Sequence, residues 1–447
     1  MLINSLLGTK ELPKEAQAHM RSVLSLSMIL SFLLSLSSTF YIIFVIDNIG
    51  FTLAAVSTSV MLMTQLIFDY PSGSLGDWIG QRWVLAIAFV CYSLQLLLLI
   101  QAHTFADFVL ISIISGFGNA QSSGAFETWI DNNYRKAVGN ADSERRIYGF
   151  IMSRVGSLNN LALGASFLIG GALSTEISRR FVFTLQFGLS LIVILLILIF
   201  VKDIKTEHKG NLNNGEISKN GYIAQLTGGI KFLFRNKLTF FFMIGLSMYN
   251  VVWLIWGNLI LFPIYYGYTG SDVLASTLRT ILFFVGIPIS FFMANVIKKI
   301  KNERLSLVIF LQILFFFPSF ILLTYFVPPM DEFNPLGIIG TFLLLAVLVG
   351  LLFDMSRTLS QRILLDLVPS ENRNAVYSLM PSIVSFVGIP VLPIAGAAVE
   401  SWGLPLGIGI AGVICIISLI LISYSLHLKI SSKPLQSQEE VPSSGLD

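Results

Sequence analysis

The sequence predicts an all-α membrane protein, with twelve transmembrane helices in two pseudo-symmetric six-helix bundles. Three observations predict it. Of the 447 residues, 55% are hydrophobic and only 12% are charged, against roughly 25% charged in a soluble domain. Lipid-facing surface excludes charge because no water is present to solvate it. Apolar stretches recur at the length that crosses a bilayer, about 20 residues each. One long polar loop then divides these stretches into six and six.

The crossings fall, in order, at 23–46, 51–72, 83–101, 105–128, 149–172, 181–201, 238–262, 273–296, 305–327, 336–356, 375–398 and 404–427. An even number places both termini on one side. The segment ahead of them, 1–22, carries mixed charges (Lys10, Glu11, Lys14, Glu15) and no apolar core of a signal peptide, so the first crossing acts as the insertion signal. The first bundle is 23–201, the linker 202–236, the second bundle 237–428 and the tail 429–447. Within the linker, Tyr222 to Phe234 reads as a basic amphipathic helix on the membrane surface. The tail reads as disordered.

Charge placement sets the orientation. Of 28 Lys and Arg residues, 24 lie at the termini or in the loops after crossings 2, 4, 6, 8 and 10. The positive-inside rule makes those loops and both termini cytoplasmic, in a multi-pass protein of the cell membrane. Arg154 and Arg279 lie within crossings. Arg179 and Arg180, between crossings 5 and 6, are on the side the rule disfavours.

The turn after crossing 2 reads Asp69-Tyr-Pro-Ser-Gly-Ser-Leu-Gly-Asp-Trp-Ile-Gly-Gln-Arg82. Its glycines permit close approach of two helix ends, and Asp77 can accept N–H bonds at a helix N-terminus. The stretch resembles the loop between helices 2 and 3 of the major facilitator superfamily, G-x-L-[AG]-D-[RK]-x-G-[RK]-[RK]. Gly73, Leu75, Gly76, Asp77, Gly80 and Arg82 fit; Trp78 and Gln81 replace two basic positions. Asp69 to Gly73 is similar to the acidic-x-Pro-[ST]-Gly form of one bacterial and archaeal branch. Ser123-Gly-Ala-Phe-Glu127-Thr-Trp-Ile-Asp131 is similar to that branch's helix 4 ending, and Gly170-Gly171 closes helix 5 as in many members. A faint internal repeat sets Phe126-Glu127 against Phe353-Asp354.

The resemblance implies a secondary active transporter of a small molecule, working by alternating access and coupled to protons. Export is the direction the branch implies. Helix 5 departs from the drug–proton antiporter pattern, holding Ala162, Ser166 and Phe167 where that pattern has Gly, Gly and Pro. This departure favours the alternative, proton-linked uptake of a nutrient. A reading from another class, a non-transporting membrane sensor or scaffold, accounts less well for the loop motif.

Charges within lipid cost roughly 2.5–3.5 kcal/mol or more each, so each needs a reason. Asp69, Asp77, Glu127, Asp131 and Arg154 gather near the cytoplasmic ends of crossings 2, 4 and 5. With Gly73, Gly80 and Arg82 they form either an inner-gate latch, the role the resemblance implies, or a hydrated cluster that orients helices. Arg279 lies about two turns into crossing 8 with no acid in its own span. It faces a water-filled cavity, another helix or an anionic substrate group, or it snorkels to the interface. Asp354 and Arg357, spaced i, i+3, share a face and can pair; Asp354 is also the second bundle's candidate proton carrier. Tyr41, Asn119, Asn250, Trp253 and Trp256 are candidates for a central cavity, helices 1, 4, 7 and 10 lining it in the family; their alternative is helix packing or an interface belt. Pro381, Pro390 and Pro393 predict a broken or bent crossing 11.

Other classes lack their signatures. There is no phosphate-binding G-x-x-x-x-G-K-[ST]. The four histidines are scattered, and Cys91 and Cys415 sit inside apolar stretches, so neither a metal site, a cofactor site nor a catalytic cluster is expected. The expected partners are a small-molecule substrate, protons and the lipid bilayer, with no nucleic acid, for a monomer.

Overall fold

The computed structural model describes residues 7–10, 12–122, 124–142, 146–202, 231, 233–297, 299–368 and 373–431. Most of the linker, including nearly all of the amphipathic helix expected over Tyr222 to Phe234, and the tail beyond Ser431 lie outside the described residues. Among the described residues the chain is helical, with no strand. The helices are α1 (Lys14–Ser35), α2 (Tyr41–Ile79), α3 (Gln81–Gln101), α4 (Phe105–Ser122), α5 (Ala125–Val138), α6 (Arg146–Glu176), α7 (Arg179–Phe200), α8 (Lys237–Thr269), α9 (Asp272–Ile297), α10 (Asn302–Phe326), α11 (335–367), α12 (Arg373–Trp402) and α13 (Leu404–Ser431).

These make the expected twelve crossings once two joins are recognised. α2 turns at Gly50, whose φ of 78° belongs to the left-handed region. Its first arm completes the crossing begun by α1; its second arm is the next crossing. α4 and α5, separated at Gly124 (φ 77°), share one crossing. Nine of the described helices are each long and apolar enough to span a membrane. α9 and the interrupted runs α4–α5 and α11 complete the set.

Four features differ from the sequence reading. The first helix begins at Lys14, because Leu7, Leu12, Ala16 and Met20 are buried in the first half's core. It pauses at residues 36–40 before resuming at Tyr41. The stretch Asp69–Arg82 is mostly helix: the turn is confined to Gly80 (φ 93°), whose N–H still bonds the Gly76 carbonyl, 3.1 Å. α12 runs unbroken through Pro381, Pro390 and Pro393. Each proline removes one donor, a loss that neighbouring helices can absorb within a membrane bundle. The helices of the second half are instead irregular at π-helical turns, Trp256–Ile260, Gln312–Phe316 and Leu345–Phe353.

Each half has its own core. The first is built on residues such as Leu33, Phe40, Phe108, Trp129 and Phe183. The second is denser in aromatics, with Phe242, Tyr265, Phe316 and Phe320 fully buried. Buried polar groups bridge helices inside each half: Ser93 to Ser190 at 2.7 Å, and Tyr249 to Gln312 at 2.9 Å and Ser356 at 2.5 Å. The halves meet along two seams, α2 against α12 and α6 against α9. Small residues let these seams close, as in other membrane bundles. A Cβ on Gly396 would lie 2.5 Å from that of Ala55, and a Cβ on Gly171 would lie 2.5 Å from that of Ser276.

Candidate functional site

Between the halves lies a chamber of about 230 Å³. The first half contributes Ser37, Ser38 and Tyr41 from the pause after α1, with Tyr92 and Gln95 from α3; the second contributes Gly257, Asn258 and Phe262 from α8. The pause in the first crossing and the π turn of α8 thus both border the chamber. π turns recur at functional sites because the extra residue re-aims side chains. Gln186 holds the Tyr92 hydroxyl, 3.1 Å, and the Leu33 carbonyl, 2.7 Å. Asn258 donates to Leu254, 2.8 Å, which leaves its carbonyl oxygen available. The lining is neutral, hydrogen-bonding and part-aromatic, a surface suited to a small polar molecule.

One end of the chamber is closed by contacts between the halves. Arg179, at the start of α7, donates from Nε and Nη2 to Asp272 at the start of α9, 2.7 and 2.8 Å, and from Nη1 to Asp47, 2.5 Å. Asp272 is buried and also accepts from Ser174, 2.9 Å. A planar fork on a carboxylate fixes both distance and angle. The Arg179 guanidinium also lies 5.0 Å from the Tyr266 ring centre. Below it, Thr39 bonds Ser276 at 2.7 Å, and the Val273 N–H bonds Thr175 at 3.0 Å. On the other seam Glu400 accepts from the Thr52 N–H, 2.8 Å, and so caps the second arm of α2 from the opposite half. Arg180 stays within the first half, on the carbonyls of Ile100 and Ala102.

Glu400 is exposed, so its cap is the weaker fastening. Glu400→Ala is expected to shift the balance between closed and open forms of this end by less than about fivefold. Spin-label distances across α2 and α12 would read the change; a shift beyond tenfold would show that the cap carries the closure.

The opposite end stands apart. A Cβ added at Gly149 or Gly156 on α6, or at Gly286 on α9, would meet no atom of the described residues within 4 Å. Near the Ser276 end the same two helices are in contact through Gly164 and Phe284, and through Phe167 and Phe283. The seam therefore opens progressively from Gly171 towards Gly149.

The loop-motif residues sit at this open end. Glu127 is exposed and has no hydrogen-bond or ion-pair partner among the described residues. Arg154 lies 4.4 Å over the Phe150 ring. Asp131 instead pairs with Arg135 one turn on, 2.9 Å. Arg82 lies 5.6 Å from the Trp83 ring centre, and Asp69 is partly buried. Gly80 makes the turn. Gly73 is within α2; the side chains of Asp77 and Asp354 lie outside the described part of the structure, and Arg357 is exposed.

The remaining cavity candidates separate. Tyr41 lines the chamber. Asn119 is exposed, its amide 3.8 Å from the Met61 sulfur. Asn250 donates to Leu246 within its own helix, 3.0 Å. Trp253 packs on Phe353 at 4.4 Å, and Trp256 on Phe316 and Phe320, both at 4.9 Å. Both tryptophans therefore belong to the second half's aromatic core, and Trp256 is buried. Arg279 lies beside the Tyr265 hydroxyl. Sequence reasoning passed over Asp47, Asp272, Tyr92 and Gln95. For the first two a signal existed: Arg179 and Arg180, two cations where the charge rule disfavours them, called for carboxylate partners on the same side.

Among the described residues no cluster of His, Cys, Asp and Glu is placed to hold a metal. A family model described as Major Facilitator Superfamily matches residues 23–332. No curated protein matches the chain by sequence. Among solved structures, the nucleoside transporter NupG superposes with a TM-score of 0.66 at 16% identity, over 92% of this chain and 99% of that one. A POT family transporter in complex with 5-aminolevulinic acid superposes with a TM-score of 0.65 at 11% identity, over 94% of this chain and 99% of that one. At these identities the likeness is one of fold.

Proposed function

The chain belongs to the major facilitator superfamily, and from that premise we propose that it is a proton-coupled secondary transporter, moving a small molecule across the cell membrane by alternating access. The observation that carries this reading is the inequality of the two ends. The halves are fastened at the Arg179 end by groups drawn from both, and at the Gly149 end they part. Two bundles around a polar chamber, fastened at one end and parted among the described residues at the other, match one half of a rocking cycle. With both termini cytoplasmic, the fastened end is the outer one and the conformation is inward-facing. The loop-motif charges then act as the inner latch of the reciprocal state, which accounts for Glu127 being unpaired here. The protein works as a monomer, since each chain encloses its own chamber.

Glu127 serves as the proton carrier in this scheme, as a carboxylate open to the cytoplasmic side and unengaged by a cation. Export is the direction supported by the branch resemblance. Uptake is the second reading, favoured by helix α6, where Ser166 and Phe167 make specific contacts in place of a flexible Gly-Pro. Ser166 donates to the Phe32 carbonyl, 2.6 Å, and Phe167 packs on Phe283 across the seam.

Liposomes holding the purified protein and a pH-sensitive dye test both coupling and direction. A transported compound should drive proton movement in the wild type. Glu127→Gln should keep exchange of that compound across the membrane while losing proton movement by about tenfold or more. Proton flux unaltered by Glu127→Gln would remove Glu127 from the coupling route. No flux of any compound in the wild type would end the transporter reading.

A further inference from the structure

We propose that the cargo carries an anionic group, a carboxylate or a phosphate, which docks on Arg279 beside the Tyr265 hydroxyl; this rests on the transporter reading and names its substrate class. Arg279 is partly exposed, but its Nε is buried and has no hydrogen-bond partner. The hydroxyl of Tyr265, a fully buried residue, has no neighbouring polar group to engage it other than Arg279 itself. No described carboxylate pairs with Arg279. The nearest acid on its helix, Asp272, is two turns away and already holds Arg179 and Ser174. A cation in such a place is costly unless something neutralises it.

Position argues against the bland reading, a side chain reaching for the membrane surface. The Nε of Arg279 is shut off from solvent, and its neighbour Tyr265 lies within the second half's core. Depth argues for the chamber. Arg279 is seven residues below Asp272, about 10 Å along the helix, and Phe262 is the same number of residues below Thr269 on α8. Phe262 lines the chamber and meets the Tyr265 ring at 6.0 Å. One turn above Arg279, Ser276 is bonded to Thr39, the neighbour of the chamber residue Ser38. Arg279 is thus level with the chamber residue Phe262, just under the fastened end, and behind the lining rather than in it. The chamber lining is neutral, so in this assignment a cargo reaching Arg279 takes its charge recognition there and its polar contacts from Tyr41, Gln95 and Asn258.

Two measurements on the purified full-length chain separate this inference from its premise. Binding is read by calorimetry with lactate, succinate, inorganic phosphate and glycerol 3-phosphate, and with uridine and glucose as neutral probes. At least one anion should bind the wild type, about tenfold or more weaker to Arg279→Gln, with Arg279→Lys in between. Tyr265→Phe, which keeps the ring, should weaken the same anion by about threefold or more. Thermal midpoints near the wild type's show that each variant is folded. If no anion binds, or if an anion binds wild type and Arg279→Gln alike, the assignment is overturned. Counterflow of the bound compound in liposomes then tests the premise alone: binding without counterflow keeps the anion site and sinks the transporter.

Discussion

Replacing Arg179 by alanine is expected to release the fastened end of the molecule. Its partner Asp272 is buried, so the substitution strands a carboxylate that retains only Ser174. Breaking a buried pair from one side costs about 3–5 kcal/mol. In the proposed cycle only the closed form loses that energy, because the pair joins the two halves. A change of about 3 kcal/mol moves a two-state balance by more than a hundredfold. Asp272→Asn should act the same way. Asp47 is more than half exposed, with a side-chain accessibility of 56%, so Asp47→Asn should cost no more than about 1 kcal/mol. Spin labels at Glu176 and Asp331, both exposed near this end, should report a short separation in the wild type. They should report a long one in Arg179→Ala and Asp272→Asn. The exchange of charges, Arg179→Asp with Asp272→Arg, should restore part of the short population. Unchanged separations in both single variants would mean that the ion pair does not hold the halves together.

The architecture was largely legible because its causes are additive along the chain. Hydropathy over twenty residues outweighs any single side chain, so the crossings survived errors of several residues at their ends. The misplacements have one kind of cause, packing against a distant segment. Lys14 begins a helix because Met20 and Leu24 find the first half's core. Three prolines leave α12 unbroken because their effect is local and the bundle supports the helix around them. The candidate site was less legible, because it is made by pairs that sequence keeps apart. Arg179 and Asp272 are 93 residues distant, and Thr52 and Glu400 are 348. Composition could point to Arg179 as misplaced, but it could not name its partner. Trp256 shows the converse limit. A helix of regular pitch sets it on a face with Asn250 and Trp253, yet the π turn beginning at Trp256 changes the pitch there. Asn258 reaches the chamber, while Trp256 stays in the core.

Neighbouring glycines of α6 offer a way to separate folding from the proposed opening, since one contacts its own half and the other contacts the opposite half. A Cβ on Gly170 would collide with the backbone at Leu36, 2.8 Å from its carbonyl carbon. Leu36 belongs to the same half, in the pause of the first crossing, and backbone cannot step aside as a flexible side chain can. Gly170→Ala is therefore expected to destabilise the first half in every conformation, by about 1–3 kcal/mol or more. It should lower the thermal midpoint by several degrees without changing the balance between open and closed ends. A Cβ on Gly171 would instead meet the other half, 2.5 Å from the Ser276 Cβ and 2.9 Å from the Asp272 carbonyl oxygen. That clash exists only while the halves are together. Gly171→Ala should leave the thermal midpoint close to wild type, because the protein can escape by opening. The labels at Glu176 and Asp331 should then move apart as they do in Arg179→Ala. Ser276→Gly, added to Gly171→Ala, should bring back part of the closed population by making room for the methyl group. The reverse pattern, with Gly171→Ala unfolding the protein at a fixed label separation, would mean that α6 and α9 are one rigid unit, and the rocking of two halves would have no seam to work on.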